Sequence, residues 1–369
     1  MRRAAIAAIL LCACGSARGG SSASPSGVVS GFPSTSTPAS APRLQSPSAT
    51  STAQPPSPVA LLPVRDPGFG CRLPVDASLG ESPLRGGFVT VPRGSFQPDA
   101  ASQLINVTGQ PWSYQTTAQP VLKGTDGLGY DAQESRWAPA SPDVFSADGS
   151  EYAWTERVAS ADRLHVTKVA DGSDRSWSVH STQQGGPIPV PLAIVGGSVL
   201  LTYGWEGTYG VWRLDLAGGS LTSLSTQPAA RGYGARAVWL QPLRGTTPVG
   251  AEQSGDTLAR LDLSSGAVVD WFHRDGALVV FLGADGDGHP WVWAGTVYSF
   301  QVQQASGIWR VRSPGQADLI LDGQRAVRIS NDVRGTWFAN DSGVYLFAGG
   351  RLQRVSATPA GEVLGPCIA

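Results

Sequence analysis

Beyond about Asp66, hydrophobic and polar residues alternate along most of the chain, and the alternation comes in short bursts. In VWRLDLAGGSLTSL (211–224), Trp212, Leu214 and Leu216 fall on one face and Val211, Arg213 and Asp215 on the other. Period two marks a pleated strand, whose successive side chains point to opposite faces. Ala217-Gly218-Gly219 interrupts the run as a turn, and Leu221 to Leu224 returns as a second strand. The same unit recurs as LHVTKVADGSDRSW (164–177), LARLDLSSGAVVDWF (258–272), IWRVRSPGQADLIL (308–321) and VYLFAGGRLQRV (344–355). GYDAQESRWAPA (129–140) is a weaker copy.

Aligned on the turn, Glu134, Gly172, Gly219, Gly266, Gly315 and Gly350 are spaced by 38, 47, 47, 49 and 35 residues. A period of about 40–50 residues with short strands predicts a β-propeller, in which each repeat is one four-stranded blade. Six hairpins predict six blades, and the stretch between Val89 and Gln119 leaves room for a divergent seventh. Each outer hairpin is preceded by an inner one, as in FSADGSEYAWTE (145–156), VGGSVLLTYG (195–204) and NDVRGTWFANDSGVYLF (331–347). These units resemble the repeats of bacterial exported WD40-like and Tol-type propellers, whose inner hairpin turns on a Ser-Pro-Asp-Gly-like tetrapeptide. Here Ala147 replaces the proline in Ser146-Ala147-Asp148-Gly149. The last unit also resembles the propellers of sensor-kinase periplasmic regions. The resemblance covers roughly residues 86–360 and implies a fold rather than an activity.

Composition agrees with short strands and tight turns: 46 Gly, 28 Pro and 12 Trp in 369 residues. Net charge is −1, and 15% of residues are charged. That excludes a basic field for a nucleic-acid backbone. The N-terminus, MRRAAIAAILLCACG, sets two arginines before an apolar stretch too short to span a bilayer. Leu11-Cys12-Ala13-Cys14 resembles the bacterial lipobox, which predicts a signal peptide over 1–13 and a lipidated Cys14. Residues 14–65, rich in Ser, Pro, Thr, Ala and Gly, are expected to form a disordered tether. The propeller follows over 66–369. Cys71 stands just ahead of the first strands and Cys367 near the end. In an exported protein the two are expected to pair and close the ring.

Candidate chemistry is sparse. Calcium loops need several closely spaced oxygens, and Asp285-Gly286-Asp287-Gly288 supplies two carboxylates before Pro290 and a strand, with Asp318 the next downstream. Aligned with Asp148-Gly149, the Asp287-Gly288 pair reads as an inner-hairpin turn of the fifth blade, leaving Asp285 and His289 unaccounted for. His165, His180, His273 and His289 lack zinc-ligand spacing, and His165 is expected to face sideways from an outer-hairpin strand. Neither metal nor cofactor is expected. No Gly-x-Ser-x-Gly elbow is present. The mixed stretch Trp271-Phe272-His273-Arg274-Asp275-Gly276 reads as a strand ending in a turn. Periodic tryptophans read as inter-blade core, whereas Trp205 and Trp239, off the period, are candidates for a ligand face together with Asp285 and His289.

The sequence therefore favours an exported, membrane-anchored, monomeric and non-enzymatic propeller that binds a protein or cell-envelope component. A glycan- or peptide-acting hydrolase or lyase at the central funnel and an envelope assembly scaffold are the alternatives. Lipidation is directly testable: Cys14→Ser should abolish labelling by a palmitate analogue and move the protein from the membrane to the soluble extracytoplasmic fraction. Unchanged membrane retention would exclude the anchor.

Overall fold

The computed structural model describes residues 61–77, 85–103, 105–106, 112–116, 119–124, 127–158, 161–179, 188–203, 210–226, 230–242, 255–298 and 301–369. The chain divides into two units, Met1–Ser57 and Pro58–Ala369. The expected signal peptide, Cys14 and most of the expected tether lie outside the described residues.

The second unit is an all-β propeller. Blade 1 pairs, from inner to outer strand, Glu362–Val363, Cys71–Asp76, Gly86–Val91 and Phe96–Pro98. Blade 2 comprises Glu151–Val158, Ala161–Lys168 and Asp174–Val179, its inner strand reduced to a bridge between Phe145 and Tyr152. Blade 3 runs through Val190–Val195, Ser198–Tyr203, Gly210–Asp215 and Leu221–Ser225, and blade 4 through Ala230–Gly234, Ala237–Leu240, Thr257–Asp262 and Val268–His273. Blade 5 consists of Leu278–Ala284, Pro290–Tyr298, Gln301–Ser313 and Gln316–Asp322, and blade 6 of Ile329–Asp332, Gly335–Asn340, Gly343–Ala348 and Arg351–Ser356. All pairings in these blades are antiparallel.

The five strong outer hairpins of the sequence are the third and fourth strands of blades 2 to 6. Their turn glycines 172, 219, 266, 315 and 350 have φ of 71°, 70°, 72°, 73° and 74°. That left-handed conformation strains any residue with a Cβ.

Between blades 1 and 2 the chain is irregular. It forms a three-stranded sheet (Ile105–Asn106, Trp112–Thr116, Gln119–Gly124) and a two-stranded one (Gly129–Asp131, Arg136–Ala138). The weak copy at 129–140 is this second sheet and not an outer hairpin: the Tyr130 N–H donates to the Leu364 carbonyl, beside the innermost strand of blade 1. The ring thus has six regular blades and an irregular seventh sector near the place where a divergent blade could hide.

Among the described residues, seven apolar clusters fill the seams between sectors. One lies between blades 6 and 1, two flank the irregular sector, and the other four lie between successive blades 2 to 6. Middle strands are covered on both faces, so Ala237, Val238, Trp239 and Leu240 are all buried.

Three features tie first residues to last. The C-terminal segment supplies the inner strand of blade 1, with Val75 opposite Val363, Asp76 opposite Glu362 and Arg72 exchanging both backbone hydrogen bonds with Ile368. Cys71 and Cys367 form the expected disulfide, with Cα atoms 5.8 Å apart. Val64 pairs in parallel with Arg354, and the Arg354 guanidinium donates to the Leu62 carbonyl. Residues 62–65, assigned by composition to the tether, therefore belong to the propeller.

Because the disulfide spans 296 residues, a Cys71→Ser/Cys367→Ser variant should lose about 5 kcal/mol of stability. It should still fold through the inner-strand pairing. An unchanged midpoint in chemical denaturation would show that the seam needs no covalent closure.

Candidate functional site

Inner strands all run in one direction, which gives the propeller two unlike faces. On one face, first strands turn tightly into second strands and third into fourth, at 146–150, 196–197, 217–219, 235–236, 263–266, 314–315 and 349–350. The other face receives the described connections from second to third strands and between blades. Trp205 and His180 lie outside the described residues.

The tight-turn face holds the Asp285 cluster. Asp285 directly follows the inner strand of blade 5, and its backbone N–H donates to the His289 carbonyl while the Gly288 N–H donates back to the Asp285 carbonyl. Asp285 Oδ1 accepts from the N–H groups of Asp287 (3.1 Å) and His289 (2.8 Å). Its Oδ2 accepts from Trp291 Nε1 (3.1 Å) and Arg310 Nε (2.6 Å). Arg310 also reaches Asp287 Oδ2 (2.9 Å) and His289 Nδ1 (2.8 Å) through Nη2. Asp285, Asp287 and His289 offer ligand atoms within 4.8 Å of one another, but one guanidinium is bound to all three. A delocalised cation with fixed donors thus stands where a metal ion would have to go. Burial raises the Asp285 pKa, yet the hydrogen bonds from Arg310, His289 and Trp291 more than offset this and hold it below the usual range. Asp285 and His289, which the sequence left unaccounted for, serve this turn and the Arg310 clamp.

Trp239 is also corrected. It is fully buried, donates from Nε1 to the Gly234 carbonyl, and packs edge-on to Trp271 and against Phe281. His165 does lie in an outer-hairpin strand, but it is buried, stacked on Trp154 at 4.2 Å, and set between Asp174 Oδ2 (2.6 Å) and Glu156 Oε1 (3.0 Å). In the mixed stretch, His273 bridges Thr257 Oγ1 (2.9 Å) and Asp275 Oδ1 (2.7 Å). The order resembles a hydrolytic triad, but Thr257 is buried and Asp275 fully solvated, so the hydroxyl is not presented to a substrate.

The face opposite the tight turns, open in the sense that apolar side chains among the described residues are exposed on it, carries a different set of residues. Arg328, just before the inner strand of blade 6, reaches Asp143 Oδ2 at 3.2 Å and Glu362 Oε2 at 3.4 Å. Asp143 lies in the Pro142–Val144 turn leading into blade 2, and Glu362 opens the inner strand of blade 1 opposite Asp76. One arginine thereby links three sectors around the axis. Burial raises the Glu362 pKa, Asp76 and Asp143 raise it further, and Arg328 opposes them. Burial works against the charge of Arg328, but its two carboxylates hold its pKa above the usual value. Apolar side chains stand beside these charges where inner strands begin: Val190 is 53% exposed and Val327 51%. Sequence reading missed Asp143, Arg328 and Glu362 because sheet closure, and no local spacing, brings them together.

No protein-family model and no curated protein matches the chain. Solved structures similar to it include TolB from Acinetobacter baumannii (12% identity, 81% of this chain and 68% of that one, TM-score 0.43). Others are an oligogalacturonate lyase from Vibrio parahaemolyticus (11%, 81% and 87%, 0.40) and YCF48 bound to D1 peptide (11%, 80% and 88%, 0.38). Scores this low carry nothing about activity.

Because Asp285 and Arg310 form a buried pair, Asp285→Asn should cost about 3–5 kcal/mol in urea denaturation at neutral pH. The Asp285 pKa is lowered on folding, so its contribution is present above the unfolded value and lost as pH falls through the folded one. The difference between wild type and variant should therefore shrink in acid; a gap constant down to pH 2 would refute the ion-pair account.

Proposed function

We propose that the protein is an exported, lipid-anchored propeller whose open face binds a protein or cell-envelope ligand. The observation that carries this reading is the contrast between the faces: one is closed by tight turns, while the other sets exposed Val190 and Val327 beside charged groups at the axis. Exposed apolar side chains next to fixed charges suit recognition of a mixed surface. The disulfide supports export, since such bonds persist in oxidising compartments. Export and the N-terminal cysteine motif together support anchoring at Cys14.

A second reading has one observation in its favour. Glu362, whose pKa is raised by burial, shares the axis with the carboxylate of Asp143, and two carboxyl groups can serve acid–base chemistry on a glycan or peptide. Both groups are held by Arg328, which favours a structural charge clamp over a pair free to flank a scissile bond.

A photo-crosslinking residue placed at Val190 or Val327 should capture a discrete partner in intact cells. The same residue at Val333, 99% exposed on the opposite face, should not. Equal capture from both faces, or none from the open one, would sink the binding reading. Activity on an envelope polymer that disappears in Glu362→Gln would favour the enzyme instead.

A further inference from the structure

Blades 3, 4 and 5 share a detail that the fold alone does not explain. Each inner strand carries a one-residue bulge at the same point: Leu192 between Pro191 and Ala193, Arg231 between Ala230 and Gly232, and Leu282 between Phe281 and Gly283. Leu192 and Leu282 are 6% and 3% exposed and pack into the seam with the next blade. Blade 4 places an arginine at that position, where its neighbours show that leucine suits the packing.

The arginine is also oriented. Arg231 Nε donates to Gln241 Oε1 at 2.7 Å. Gln241 is buried, and its Nε2 donates to the carbonyls of Gly255 (3.0 Å) and of Val279 in blade 5 (2.6 Å). Rotating that amide would set its nitrogen against the guanidinium and its oxygen against two carbonyls, so one orientation is enforced. With Nε held, the two terminal nitrogens form the fork that matches a carboxylate or phosphate. Among the described residues, no carboxylate ion-pairs with Arg231, in contrast to Arg328. Arg231 is open to solvent, yet burial around its guanidinium lowers its pKa.

We propose that Arg231, positioned by Gln241, is the anchor of an anion-binding site at the axial edge of the seam between blades 4 and 5, taking a carboxylate or phosphate group through its terminal nitrogens. This rests on reading the open face as the ligand face and names the chemistry of the group bound there. A free peptide C-terminus and a phosphate-bearing envelope component both supply that chemistry.

The full-length protein in detergent, its Arg231→Leu variant and its Arg231→Lys variant can be titrated at constant ionic strength. The probes are inorganic phosphate, an N-acetylated tripeptide with a free carboxylate, and the same tripeptide as its amide, with melting temperature and calorimetric affinity as readouts. The wild type should be stabilised by phosphate or by the free-carboxylate peptide and not by the amide, and whichever acts identifies the source. Arg231→Leu should match or exceed the wild type in stability without probe and bind at least tenfold more weakly. Arg231→Lys should retain part of the response. Equal binding by wild type and Arg231→Leu, or no wild-type response to either anion, overturns the proposal. So does a marked loss of stability in Arg231→Leu without probe, which would make the guanidinium a structural partner of the chain itself. Crosslinking from Val190 and Val327 reads the open face independently, so either idea can fail alone.

Discussion

Everything in this propeller depends on the seam between its last and first blades. No blade has a core of its own: each apolar cluster is shared between neighbouring sectors, as when Val91 and Leu73 of blade 1 pack with Trp337 and Leu346 of blade 6. In an open ring that seam would expose its apolar residues, and the inner edge of blade 1 would stand unpaired. The chain answers at three radii. Residues 362–368 complete the inner edge, the disulfide joins the inner two strands, and residues 62–65 extend the outer edge of blade 6. The C-terminal tail is held a third time, since Asp332 Oδ2 accepts from the Cys367 N–H and Arg334 donates to the Cys367 carbonyl.

Charges meet within single blades and across sectors, and how each is satisfied separates structural groups from available ones. Arg310 and Asp285 neutralise each other at a tight turn, with backbone donors filling the remaining acceptor positions. Arg328 is balanced by two carboxylates from other sectors. Both arrangements are what a buried charge requires in order to persist. Arg231 differs because its described partner is a neutral amide, which fixes direction without cancelling charge.

The five regular hairpins were legible because their outer strands alternate and their turns demand glycine. Two kinds of feature were not. Where a strand is covered on both faces alternation vanishes, so Trp239, flanked by buried Val238 and Leu240, carried no sign of which way it points. The Asp285 turn was readable from Asp287-Gly288, but its partner Arg310 sits opposite Trp291 through sheet register, 25 residues away in sequence. The irregular sector escaped for a third reason. Its strands are two to six residues long, and the turn of its last hairpin carries Ser135 at a φ of 51° in place of glycine.

That leaves the repeat itself as the most informative instrument for function. In a radial fold, equivalent positions in neighbouring blades experience nearly the same packing, so each blade acts as a structural control for the next. A residue shared by the blades is explained by the fold; one that departs from its equivalents at a cost in burial needs another cause. Glycine at the outer turns is of the first kind. Arginine at a bulge that holds leucine on either side is of the second, since it gives up the apolar burial its neighbours gain there and leaves an oriented guanidinium exposed to solvent. Because the seam is closed covalently and by strand pairing, the ring can tolerate that local cost without losing the cores between blades. The rigidity of the closure and the presence at the axis of an oriented cation with no carboxylate partner among the described residues are, on this view, two parts of one arrangement.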